Sequence, residues 1–135
     1  MALPNGAGGY QVGDGNLNEL ILGYEATPQT ATSTATLTAA QVTGGILVAN
    51  PSTSAAVYTL PTAAAIDAVV TSAKVGSTFE MILVNTGTTS GTVTLATATG
   101  LTDGGNAFVA VAVTSSAQFT FRKTGDGAWT VYKTA

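Results

Sequence analysis

Charge is scarce along this chain, and that scarcity limits what it can fold into more than any motif does. Seven acidic and four basic side chains are spread over 135 residues, of which 45% are hydrophobic. An ordinary soluble domain is about 25% charged; here the figure is 8%. A folded monomer of this mass exposes roughly 6,500 Å². A surface that size with so few charges is poorly defended against association. Much of it is expected to be covered by copies of the same chain or by a larger assembly, which points to a structural role rather than to a chemistry.

The same composition excludes several classes. The basic residues are Lys74, Arg122, Lys123 and Lys133, too few and too scattered to neutralise several phosphates. Nucleic-acid binding and polybasic membrane attachment are therefore not expected. A membrane-spanning helix needs about 20 consecutive apolar residues. The stretch Ala55 to Val70 comes closest but is interrupted by Tyr58, Thr59, Pro61, Thr62 and Asp67. The N-terminus carries neither a charged nor an apolar leader region, so no signal peptide is expected and synthesis is placed in the cytoplasm. With no Cys, the fold must stand on burial and on oligomerisation.

Residues 1–30 form one compositional block. Its glycines (Gly6, Gly8, Gly9, Gly13, Gly15 and Gly23) predict an extended arm with little structure of its own. The arm nevertheless carries Tyr10, Val12, Leu17, Leu20, Ile21, Leu22 and Tyr24, which makes sense if it docks on something. Asn16 to Glu19 could cap one helical turn, or Glu19 to Glu25 could run as a strand. Thr27-Pro28-Gln29-Thr30 reads as the linker into a second block, residues 31–135.

That block reads as short β segments rich in Thr and Val, broken by Gly and Asn. The candidate strands are Thr34–Thr38, Ile46–Asn50, Ala56–Leu60, Thr78–Asn85, Thr92–Thr97, Ala107–Val113, Ala117–Lys123 and Trp129–Lys133. Alternation sets Phe79, Met81 and Leu83 against Ile82 and Val84, and Phe119 and Phe121 against Gln118, Thr120 and Arg122. Thr38 to Val42, stopped by Gly44-Gly45, predicts a helical turn. Thr62 to Ser72, opened by Pro61, predicts a short helix with Ile66, Val69 and Val70 at helical spacing. Eight strands with one or two helices predict an all-β, jelly-roll-like β-sandwich preceded by the arm.

The polar motifs read as turns. Asp126-Gly127 lies between two strong strands and suits a tight hairpin. Gly13-Asp14-Gly15-Asn16 and Asp103-Gly104-Gly105-Asn106 read the same way, since calcium needs several converging oxygens. Gly6-Ala7-Gly8-Gly9 lacks the strand and helix that flank a phosphate loop. There is no His base and no Cys nucleophile. The carboxylates of Asp14, Glu19, Glu25, Asp67, Glu80, Asp103 and Asp126 are scattered one per segment. No enzyme activity, cofactor or metal is expected. The aromatics Phe79, Phe108, Phe119, Phe121, Trp129 and Tyr132 suit core and interface packing. Thr86-Gly87-Thr88-Thr89-Ser90-Gly91 reads as an exposed hairpin tip.

Several segments in order resemble small structural proteins of tailed bacteriophages, including cyanophages. They are Gln11-Val12-Gly13-Asp14-Gly15-Asn16-Leu17-Asn18-Glu19, then Thr34 to Gln41 running into Gly44-Gly45-Ile46-Leu47. Tyr58-Thr59-Leu60-Pro61-Thr62 and Ala73-Lys74-Val75-Gly76-Ser77-Thr78-Phe79 follow, then Gly91-Thr92-Val93-Thr94-Leu95-Ala96 and Lys123 to Tyr132. Within that group the chain looks most like capsid decoration (cement) proteins. The resemblance implies a component of the virion's outer capsid surface that binds the major capsid protein and cross-bridges its subunits. A trimer would match the threefold positions of an icosahedral head, with the arm residues Tyr10, Val12, Leu17, Leu20, Ile21, Leu22 and Tyr24 making the capsid contact. Similar modules occur in fibres, so a receptor-binding module that contacts host glycan is the alternative.

Overall fold

The computed structural model describes residues 23–135. Nine strands and two helices follow one another as β1 (Gln29–Ala31), β2 (Ala35–Thr36), α1 (Ala39–Thr43), β3 (Ile46–Ala49), β4 (Ala56–Thr59) and α2 (Ala63–Val69). Then come β5 (Thr78–Asn85), β6 (Val93–Ala96), β7 (Leu101–Gly105), β8 (Ser116–Gly125) and β9 (Ala128–Lys133). Two sheets result, one of six strands in the order β1-β3-β5-β8-β9-β7 and one of three in the order β2-β4-β6.

The chain builds them by winding. It passes from one sheet to the other and back, so β1, β3 and β5 stack in parallel in the larger sheet while β2, β4 and β6 stack in parallel in the smaller. Parallel neighbours cannot be joined by a tight turn; here each return path runs through the opposite sheet, with α1 and α2 in two of the return legs. The larger sheet is then extended by antiparallel pairing of β5 with β8 and of β8 with β9, and closed by β7 parallel to β9.

The strand-rich, two-sheet expectation is met in this coarse form, but the connectivity departs from the jelly roll read from sequence. A jelly roll is built from antiparallel pairs, whereas here only β5–β8 and β8–β9 are antiparallel and the other ladders between named strands are parallel. Strand periodicity reports which face is buried and carries no information on direction, which is why the pattern could not separate the two.

The core lies between the sheets. Leu47, Ala49, Met81, Leu83, Phe119, Phe121, Trp129 and Val131 point inward from the larger sheet, and Ala56, Tyr58, Val93 and Leu95 from the smaller. Phe79 stacks on Phe121 with ring centroids 4.7 Å apart and meets Trp129 edge-on at 5.3 Å. The Tyr58 hydroxyl donates to the carbonyl oxygen of Thr32 at 2.6 Å, and burial raises its pKa above the usual phenol value. Val42 of α1 and Ala63 and Ile66 of α2 are buried in the same core.

Both helices start as read. Thr38 caps α1 through a full capping box with Gln41, and Gly44-Gly45 stops it, Gly45 at φ +93°. The Thr62 hydroxyl caps α2 by accepting from the Ala65 N–H. Val69, placed on the buried stripe by spacing, is 51% exposed, because the helix ends there; of that stripe Ile66 and Val70 turn to the core.

Three local expectations need correction. Gln29 and Thr30, read as linker, pair with β3 together with Ala31 as an edge strand. Ala107–Val113 is not a strand. The Asp103 carboxylate accepts from the Gly105 and Ala107 N–H groups, and Asn106 takes φ +53°, so the chain turns out of the sheet. Only Val111 pairs again, through a bridge to Val93 at the edge of the smaller sheet, and Val109 is left 52% exposed. The strand in this region is instead Leu101–Gly105, whose Thr-Asp-Gly-Gly content gives no β signal. The Asp126-Gly127 hairpin is present between β8 and β9; among its two turn residues only Gly127, at φ +65°, takes a positive angle.

Gly100 marks where the coil stack meets that hairpin. It sits at φ +85°, and a Cβ there would overlap the Gly127 carbonyl oxygen and the Ala63 methyl. Its own carbonyl accepts from the Trp129 N–H at 2.9 Å. Gly100→Ala is expected to destabilise the fold by about 2–3 kcal/mol from backbone strain and overlap. Urea unfolding followed by Trp129 fluorescence measures it, and an unchanged midpoint would refute this account of the junction.

Candidate functional surface

Two polar nodes hold the ends of the coil stack and decide which side chains remain free to meet a partner. The first is Asp67 on α2. Its carboxylate accepts from the Gly127 N–H at 2.7 Å and from the Trp129 indole N–H at 2.9 Å. It also pairs with the Lys123 ammonium at 3.0 Å. Lys123 is buried and lies 6.0 Å from the centroid of the Trp129 ring. The Gly127 hydrogen bond, then those from Lys123 and Trp129, hold the Asp67 carboxyl below the usual carboxylate range, against a smaller desolvation effect. The helix α2 is thereby tied to the β8–β9 hairpin.

The second node is Asn85, buried at the end of β5. Its amide nitrogen lies 2.9 Å from the Gly91 carbonyl, 3.1 Å from Val111 and 3.0 Å from Ala112, so two hydrogens are shared among three acceptors. Its oxygen accepts from the Gly87 N–H at 2.8 Å. Strands β3 and β5 run parallel, so the loops that follow them leave at the same end. Asn85 binds the second of these loops to the segment before β8, while the Thr88 N–H donates to the Ser52 carbonyl of the first. Thr86 to Gly91 is thus a corner between sheets and not the hairpin tip expected, since β5 and β6 do not pair.

Among the described residues, the loops at this end carry no charged side chain. Ser52, Thr53, Ser54, Thr88, Thr89 and Ser90 are exposed on them, and Ser52, Thr89 and Thr114 hold left-handed backbone angles of φ 60°, 58° and 53°. Beside them Val84, Asn85, Thr86, Thr114, Ser115 and Ser116 line an open depression of about 420 Å³. The strand residues on the outer face of the smaller sheet are equally free of charge. By register this face presents Thr36 beside Thr59 beside Ala96, and Val57 beside Thr94, with Val57 42% exposed. On the larger sheet Ile46 faces Ile82 and Val48 faces Val84 across the ladder, on the side opposite Met81 and Leu83 as the alternation predicts.

Of the residues expected to contact a partner, Tyr24 is 93% exposed; Tyr10, Val12, Leu17, Leu20, Ile21 and Leu22 lie outside the described residues. Among the described residues the carboxylates do not converge. Asp67 is committed to the hairpin, Glu80 accepts from Gln118 at 2.8 Å, and Asp103 closes its own turn. Among the described residues there is no group of three or more side chains suited to hold a metal, and no helix is long and apolar enough to cross a membrane. Composition alone could not find Asn85 or Lys123, because a single Asn or Lys gives no signal until the fold buries it. Comparisons with models of protein families, with curated proteins and with solved structures found no match.

Both nodes yield tests. Asp67 has its pKa lowered on folding, so its stabilisation is complete above the unfolded value of about 3.9 and is lost as pH falls through the folded value. Asp67→Asn should cost about 2–3 kcal/mol at neutral pH by leaving Lys123 unpaired. It should also flatten the loss of stability between about pH 5 and about pH 2, as read by thermal unfolding across that range. Asn85→Asp sets a carboxylate against three carbonyl oxygens and should cost about 3 kcal/mol or more. A circular-dichroism melt within a degree of the parent would exclude the role given to Asn85.

Proposed function

We propose that this chain is a non-enzymatic decoration (cement) protein of a tailed-phage head, binding the outer capsid surface as a trimer and cross-bridging major capsid protein subunits. The observation that carries the reading is the charge-free outer face of the smaller sheet, from Thr36 across Val57 and Thr59 to Thr94 and Ala96. A face with no charge to desolvate costs little to cover permanently. The resemblance of the ordered segments to phage structural proteins adds to it. In this reading residues 1–28 precede the edge strand β1 and reach across a capsid subunit boundary. Three such arms on one trimer act together through effective concentration.

A receptor-binding module is the second reading. It is favoured by the uncharged, hydroxyl-rich end with its depression of about 420 Å³ beside Asn85, which offers neutral hydrogen-bonding groups to a glycan. The two readings separate on where the protein sits. Antibody-gold label spread over the head supports decoration; label confined to the tail tip or to projecting fibres supports host-glycan binding.

Deletion of residues 1–25 leaves every described strand and helix in place and should give a folded domain that no longer saturates purified heads in a pelleting assay. Val57→Lys in the full chain should weaken head binding by about tenfold or more, with its melting temperature held. If truncated and substituted proteins both saturate heads like the parent, neither arm nor sheet face is the contact.

A further inference from the structure

The larger sheet ends at β1, which among the described residues has no strand on its far side. Such an edge is a template on which another strand can add. The Asn50 N–H donates to the Ala31 carbonyl at 2.8 Å, so Ala31 faces β3. Residues of a parallel strand alternate in the side to which they bond, so Thr30 turns its N–H and C=O away from the sheet. Thr30 is exposed. It is the position at which an added strand would register.

Gln41 stands at that position. Its amide nitrogen donates to the Thr30 carbonyl at 2.8 Å, across eleven residues of sequence. The orientation of the amide is set from its other side, where Oε1 accepts from the Thr38 N–H at 2.9 Å. The Gln41 backbone N–H in turn donates to the Thr38 hydroxyl at 3.2 Å. The capping box of α1 therefore does two things at once: it starts the helix and aims an amide at the sheet edge. Other edges are closed by other means. The outer side of β6 is bridged by Val111, β7 carries a register break between Asp103 and Gly105, and β2 is two residues long.

We propose that Gln41 is a guard on the β1 edge, and that what it excludes is an extended segment of a second copy of this chain, which would otherwise pair with Thr30 and extend the larger sheet from molecule to molecule. A second copy is the occupant argued for because this charge-poor chain brings identical uncharged edges together at its own concentration. The inference does not rest on the capsid reading, since it concerns the free protein.

The test uses the full chain. Gln41→Met keeps side-chain length and helix preference, and it leaves the Thr38 hydroxyl its backbone donor, but removes the amide from Thr30. Sedimentation velocity should show self-association about tenfold or more stronger than the parent's. Adding Thr30→Pro, which deletes the outward N–H and is tolerated on edge strands, should return the double variant to the parent's behaviour. Association of Gln41→Met equal to the parent's overturns the proposal, and so does association that persists with Thr30→Pro. Should a variant fail to fold, the parent decides: NMR should detect a through-hydrogen-bond coupling between the Gln41 side-chain nitrogen and the Thr30 carbonyl carbon, and its absence refutes the guard.

Discussion

The structure depends on the burial that becomes possible when coils of chain lie one upon another in register. No single strand of the parallel set could stand alone: β2 has two residues and β1 three. Stacked, Leu47 and Leu83 meet across one ladder and Tyr58 and Leu95 across the other, and each coil closes the face its neighbour leaves open. Hydrophobic area at about 25 cal/mol per Å² is the main favourable contribution to such a fold, and here almost none of it comes from disulfides, ion pairs or long helices.

Stacked coils have weak places at their corners and ends, and the two polar nodes of the chain sit there. Asp67 joins the helical corner to the β8–β9 hairpin through a charge-assisted set of three donors. Asn85 joins the opposite corner to the segment before β8. No buried side-chain nitrogen or oxygen among the described residues lacks a partner. The scarcity of charge is thus matched by economy in its use. Of the four basic side chains, one is spent inside the molecule as the partner of Asp67.

Sequence periodicity was informative wherever one face of a strand is buried and the other wet. Phe119 and Phe121 against Gln118 and Thr120, and Met81 and Leu83 against Ile82 and Val84, fall on opposite faces as read. The two helices were equally legible from Gly44-Gly45 and Pro61, whereas the capping by Thr38 and Thr62 emerged only with the structure. The pattern failed where a side chain overrode it: Asp103 bends the chain through its two hydrogen bonds, so the Val109-Val111-Val113 alternation never becomes a strand. Strand direction was illegible for a more general reason. Parallel and antiparallel strands bury the same alternate residues, and only the connections tell them apart. Of the surface, the charge-free faces were foreshadowed by composition, but which hydroxyls and valines share a face follows from register alone.

The winding also fixes an order of events. Every strand from β1 to β6 waits for a partner that lies a full coil away, and the one pair joined by a tight turn, β8 and β9, is made after all of the coils. Until then β5, the longest of the coiled strands, has one side paired with β3 and the other bare. A chain still in synthesis therefore carries an unfinished sheet along Thr78 to Asn85 until β8 is made. The final hairpin closes the sheet, and through Asp67 it also fastens the coils made before it.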